Sequence, residues 1–252
     1  MDAVVGALAE QHAELAGLLT DLGEADWHRP SPCEGWDVAD VVLHLAQSDD
    51  LARASAQGRF AEVVEELAAG LGPAGSVDDG AALMVERERG RPGTAVRDRW
   101  QESAGELRRV LGTTDPHARL VWVAGELSAR TLATTRLAEC WIHTGDVAAA
   151  FGVGLPATDR LWHVARLAWR TLPYAYARAD RGPLAGPVAF VLQAPSGDEW
   201  RFAPDAEPVT TITGDAAELC LVAARRVDPA STGLRGDGAD ADTVLELVRT
   251  YA

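Results

Sequence analysis

The stretch "TTRLAECWIHTGDVAAAFG", residues 134–152, restricts the fold more than any other part of the chain. At the helical repeat, Arg136, Glu139, His143 and Asp146 fall within an arc of roughly 80°. The opposite side carries Trp141, Ile142 and Ala148, so the helix is apolar nearly all round and belongs in an interior. Four ionisable side chains along one stripe of a buried helix are costly unless they pair with each other or bind something. One reading is an Arg–Glu and His–Asp network that ties helices together. The other is a ligand site, because Glu139 and His143 stand at i and i+4, within reach of one ion.

A buried helix needs helices around it, and the chain supplies them. Apolar residues recur at helical period near 3–22, 37–57, 60–69, 80–89, 94–111, 128–151 and 159–178, with Thr94, Ser128 and Thr158 as candidate caps. No sheet is expected within residues 1–170. The segment "RGPLAGP", 181–187, then breaks the pattern. Beyond it, "VAFVLQAPSGDEWRF" reads as two strands around a Ser-Gly-Asp turn, "VTTIT" as a third, and "DAAELCLVAARRV" and "ADTVLELVRTYA" as helices. The expectation is a mainly α protein: a helical bundle over residues 1–180 and a small α+β domain over 181–252.

A catalytic ion of the zinc type takes three protein ligands and leaves a position open. After Glu139 and His143, the third must come from a facing helix. His44 in "WDVADVVLHLAQ", residues 36–47, is the best-placed candidate. Val38, Val41, Val42 and Leu45 form the buried face there, Asp37 can cap the helix with Asp40 three residues on, and His44 projects from the margin of that face. Two imidazoles and one carboxylate suit zinc, nickel or iron(II).

The net charge of −15 argues against nucleic acid and against an anionic membrane surface as partners. All 23 basic residues are arginine, which removes Schiff-base chemistry and the phosphate-binding lysine loop. Cys33, Cys140 and Cys220 are far apart and form no cysteine zinc module. No apolar run is long enough for a membrane helix, and the N-terminus lacks the basic start of a signal peptide. A cytoplasmic protein, monomer or homodimer, with a small-molecule substrate is expected.

"SPCEGWDVADVVLHLA", followed about ninety residues later by "RLAECWIHTGDVAAAFG", resembles the DinB-like metalloenzymes, and within them the mycothiol-dependent maleylpyruvate isomerase N-terminal-domain family with its actinobacterial metal-binding relatives. "DRLWHVARLAWRTLPYAYA" and the "GDEWRF…VTTITGDAAELCLVAARR" tail extend the likeness over nearly the whole chain. The resemblance implies a four-helix bundle followed by a small sterol-carrier-like α+β domain. It implies one divalent ion, zinc first, with nickel or iron as alternatives, held by His44, Glu139 and His143. It also implies an isomerase or S-transferase that uses mycothiol on a small electrophilic metabolite. Two other functions stay open: a metal-dependent hydrolase or cyclase of specialised metabolism that uses water or a substrate oxygen, and a non-enzymatic protein that holds a metal or small ligand.

Asp146 and Arg136 flank the candidate ligands, and Asp146 is placed to orient His143 as an acceptor behind it. His12, Trp36 and Trp141 are candidate substrate contacts, with a solvated position the simpler reading of His12 and core packing that of the tryptophans. Cys33, just ahead of the His44 helix, is either a reactive thiol or an inert one. His163, in "LWHVARLAW", reads as a packed helix residue, and His28 and His117 lie in loops and carry no signal.

Overall fold

The computed structural model describes residues 1–70, 72, 74–123 and 125–250. It divides into two compact units, Met1–Leu155 and Pro156–Ala252. The first is built on four long helices: α1 (Asp2–Leu19), α3 (Val38–Ala56), α6 (Gly93–Thr113) and α7 (Ala129–Ala150), with α1 and α3 each packing on both α6 and α7. Short α2 (Glu24–Trp27), α4 (Phe60–Ala68) and α5 (Val77–Glu88) complete the helices of this unit. Leu8, Leu15 and Leu19 of α1 meet Val41, Val42 and Leu45 of α3, Leu107 and Leu111 of α6, and Leu132 and Leu137 of α7 in one apolar core. No helix among the described residues is long and apolar enough to cross a membrane.

The local signals mostly act as expected. Asp37 accepts from the Asp40 amide at 2.9 Å and Asp40 from the Asp37 amide at 3.3 Å, a reciprocal cap that starts α3. Ser128 caps α7 by accepting from the Thr131 amide. Thr94 does not cap α6, which starts one residue earlier at Gly93, behind Pro92. A Cβ on Gly93 would stand 2.0 Å from the buried Trp27 ring, so glycine there lets α2 lie against α6. Nor does Thr158 cap its helix, since α8 (Leu161–Arg178) begins after a further turn that ends at Arg160.

One expectation fails in the first unit. β1 (Arg119–Trp122) and β2 (Gly125–Ser128) pair antiparallel, so a two-stranded sheet does occur before residue 170. Its four-residue arms are too short to show a clear alternation. Leu120 anchors the hairpin inward, and the Ser55 hydroxyl of α3 donates to the Val121 carbonyl.

The second unit holds β3 (Val188–Gln193), β4 (Glu199–Phe202), β5 (Thr210–Asp215) and β6 (Arg235–Gly238) in the order β4-β3-β5-β6. β3 and β4 form the expected hairpin, and β5 lies parallel to β3. α8, α9 (Ala216–Ala223) and α10 (Ala241–Leu247) pack with this sheet. The units therefore part at 155/156, ahead of the compositional break at 181. α8 carries the same apolar stripe as a bundle helix but spends it within the second unit: Leu161, Val164, Ala165 and Ala168 are buried, α8 packs on α9, and the Trp169 indole donates to the Val188 carbonyl at 2.8 Å.

Candidate metal centre

The loop between α2 and α3 is closed on itself before it delivers His44. The Ser31 hydroxyl donates to the Trp36 carbonyl at 2.9 Å and accepts from the Cys33 amide at 3.1 Å, and Gly35 supplies the positive φ of 76° that the turn requires. Arg89, just past α5, ties this loop to α3 by bonding both the Gly35 carbonyl, at 3.2 Å, and the Asp40 carboxylate, at 2.8 Å. Two turns into α3, His44 faces α7.

There the trio expected from sequence comes together. His44 Nε2 lies 3.3 Å from Glu139 Oε2, and His143 Nε2 lies 3.7 Å from the same oxygen. The two imidazole rings meet edge-on, with centroids 5.1 Å apart. One donor atom from each of His44, Glu139 and His143 lies within 4.8 Å of the other two. Glu139 and His143 are buried and His44 is partly so.

The surroundings prepare these donors. Burial alone would raise the Glu139 pKa, but the hydrogen bond with His44 and the nearby Arg136 and His143 outweigh it and bring it down to about 2. Burial pushes the His44 pKa below the usual histidine value, against the pull of Glu139. A carboxylate beside an imidazole held neutral is a pair of lone-pair donors suited to a divalent cation. His143 Nδ1 lies 2.9 Å from Asp146 Oδ2, so its ring has a carboxylate behind it and presents Nε2 forward. The three residues thus fit a small divalent ion.

Arg136 is a support rather than a bystander. Its guanidinium donates to Asp49 Oδ1 at 3.1 Å and to the Ser48 hydroxyl at 2.8 Å, and comes within 4.0 Å of Glu139 Oε2. Burial raises the Asp49 pKa to about 6 despite this partner. His12 belongs to the same network. It is 3% exposed and not solvated, Arg108 donates to its Nδ1, and its Nε2 faces Asp49 Oδ2 at 3.9 Å. Burial, Arg108 and Arg136 lower its pKa to about 3, so at neutral pH its contact with Asp49 is not an ion pair.

Trp36 lies against the site, its ring centroid 5.2 Å from that of His44. It also lines an open cleft of 480 Å³ with Glu34, Asp79, Ala82, Glu86 and Arg89. Trp141 is half-buried and leaves α7 on the side away from His143. The least expected neighbour is Cys33, whose Sγ sits 3.2 Å from Asp146 Oδ2 and 3.8 Å from His143 Nδ1. Its one sequence signal is its place in the loop just ahead of the His44 helix. Ser48, Asp49 and Arg108 gave no signal of a link to the site.

Residues 8–148 match the model of the mycothiol maleylpyruvate isomerase N-terminal domain. An uncharacterized protein carried by two strains of Mycobacterium tuberculosis is 33% identical over 250 residues, which cover 98% of this chain and 95% of that protein. The crystal structure of the mycothiol-dependent maleylpyruvate isomerase matches with a TM-score of 0.60 at 18% identity, over 93% of this chain and 92% of that one. A histidine-to-alanine variant of that enzyme matches equally well. At this identity the structural likeness establishes the fold.

Proposed function

The chain belongs to the mycothiol maleylpyruvate isomerase N-terminal-domain family, and from that premise we propose that it is a metal-dependent enzyme that uses a small thiol, mycothiol, on an electrophilic metabolite. The observation that carries this reading is the convergence of His44, Glu139 and His143 on one point, with Asp146 behind His143. These three residues would hold the ion, with zinc the best match to two imidazoles and a carboxylate and nickel or iron next. When bound, the ion supplies the positive charge that acidifies a thiol at neutral pH.

The chain's own residues do the remainder. Asp146 accepts from His143 Nδ1 and so keeps Nε2 free of its proton. Arg136, fixed by Asp49 and Ser48, keeps the Glu139 carboxylate ionised and in place. The Trp36 ring lies tilted against His44 and presents an apolar wall to a substrate arriving from the cleft. For an isomerisation, the thiolate sulfur adds to a conjugated double bond, the resulting single bond rotates, and loss of the same thiolate restores the double bond in the other geometry. No atom is gained or lost. S-transfer would stop at the adduct.

The test is elemental analysis of the purified protein, followed by turnover of maleylpyruvate and simpler Michaelis acceptors with and without mycothiol. About one ion per chain, lost in both His44→Ala and His143→Ala, together with thiol-dependent turnover, is expected. Full metal retention in either variant would overturn the ligand assignment, and turnover indifferent to thiol would overturn the choice of reaction.

A further inference from the structure

His143 has two ring nitrogens, and each faces a different set of donors. Nε2 is turned toward Glu139 and His44. Nδ1 is turned toward Asp146, at 2.9 Å, and Cys33, at 3.8 Å, while Cys33 Sγ and Asp146 Oδ2 are 3.2 Å apart. The second triangle has the dimensions of a coordination face. Metal bonds of about 2.3 Å to sulfur and 2.0–2.2 Å to nitrogen and oxygen, at tetrahedral angles, give edges of roughly 3.4–3.6 Å. Against those lengths no edge of the Cys33–His143–Asp146 triangle has to move by more than about 0.5 Å. Of the first triangle, the two edges to Glu139 measure 3.3 and 3.7 Å.

The two donor sets differ in chemistry. His44, Glu139 and His143 offer only nitrogen and oxygen. Cys33 adds a sulfur, which favours soft cations. Its loop is held by the Ser31 and Arg89 bonds, so the backbone that carries the thiol is fixed. Cys33 is half-buried, within reach of an ion from solvent, whereas Cys140 and Cys220 are buried.

We propose that Cys33, Asp146 and His143 Nδ1 form a second cation site, specific for thiophilic divalent ions, that competes with the first site for His143. The competition follows from the imidazole itself. A neutral imidazole has one nitrogen lone pair to give, and an ion held at Nδ1 takes it. The Cys33 thiol releases its proton to solvent on binding. His143 is then no longer a ligand for the first site. A soft metal would thus disable the enzyme without touching His44 or Glu139. The existence of the site does not depend on the proposed function. Only the competition rests on that reading of the first site.

The experiment uses the full chain, treated with chelator and titrated with cadmium, with thiolate-to-cadmium charge-transfer absorption as the signal and native mass spectrometry for the count. Wild type should show the band, saturating at one cadmium. His44→Ala, which removes the first site, should keep both the band and the equivalent. Cys33→Ser, a one-atom change that leaves the loop bonds intact, should lose the band. In zinc-loaded wild type, the band should grow in step with zinc release. Absence of the band in wild type overturns the proposal, as does its persistence in Cys33→Ser. Loss of the band in His44→Ala would place Cys33 on the first ion and overturn the separate site. Cadmium and zinc bound together, with the band present, would overturn the competition. Because His44→Ala reads the second site alone, its failure is distinguishable from failure of the first.

Discussion

His12 offers a test of the buried network that does not depend on the proposed metal. Its pKa of about 3 in the folded chain, against 6.5 in an unfolded one, means that the unfolded chain alone binds the proton between those values. Stability must therefore fall as pH drops through that window and be fully present above it. With those two values, His12 removes about 2 kcal/mol of stability between pH 7 and pH 5. The residue is 3% exposed, so solvent screening does not discount the figure much. Asp49 acts in the opposite sense: its raised pKa, about 6, makes stability fall as pH rises from the unfolded value of 3.8 through 6. The slope of the wild type alone is thus ambiguous, and the difference from a non-titrating variant is the useful quantity. His12→Gln is suited to this because His12 is already neutral above about pH 3, so the charge beside Asp49 is unchanged. Urea unfolding of chelator-treated protein at half-unit steps from pH 7 to 5 should show the gap between wild type and variant shrinking by about 2 kcal/mol. Chelation matters because bound metal stabilises the fold by mass action and is itself pH-dependent. Parallel curves for the two proteins would refute the claim that His12 is buried neutral against Arg108 and Asp49.

Glu139→Gln should weaken metal binding strongly, since an amide is a poor zinc ligand, while apo stability changes by only about 1 kcal/mol; Arg136 keeps Asp49 and Ser48 as partners, and equal metal affinity with a large apo loss would return Glu139 to a structural role. Asp146→Asn should lower affinity for the first ion by about 10–100-fold, read by competition with a chromophoric chelator, because the carboxylate behind His143 is lost; unchanged affinity would remove Asp146 from that role. Gly93→Ala should cost about 1–3 kcal/mol and alter the near-ultraviolet circular dichroism, since the new methyl would stand 2.0 Å from Trp27; a variant as stable as wild type would show that α2 shifts freely.

What could be read from the residues and what could not divide along sequence separation. The Asp37–Asp40 cap, the Ser128 cap and the β3–β4 hairpin arise from neighbours a few positions apart, and the pattern alone reveals them. The convergence of His44 with Glu139 spans 95 positions, and came from the helical stripe together with a family resemblance rather than from spacing alone. The approach of Cys33 to Asp146 spans 113 positions and has no local signature, since an inert thiol in that loop would be spelled the same way. His12 shows the same limit: a polar residue on an amphipathic helix reads as solvated until Arg108 and Asp49 arrive from other helices. The boundary at 155/156 was hidden because α8 has the apolar stripe of a bundle helix, and only its partners tell that it belongs to the sheet.

The division of labour on α7 follows from charge. Around the site, three carboxylates, Glu139, Asp146 and Asp49, face two guanidinium groups, those of Arg136 and Arg108. A network meant only to hold helices together would be expected to balance its buried charges, because each unpaired ion in an interior is expensive. At the other end of the stripe, Glu139 is the carboxylate that faces both His44 and His143. Arg136 offsets Asp49 at the inner end, which leaves Glu139 with a guanidinium only at 4.0 Å and so with capacity for a second cation. On the proposed reading, Glu139 would offset only part of the charge of a divalent ion, the condition under which a thiol loses its proton at neutral pH. On that reading, the pairing of Arg136 with Asp49 and the placing of Glu139 between His44 and His143 are two halves of one arrangement.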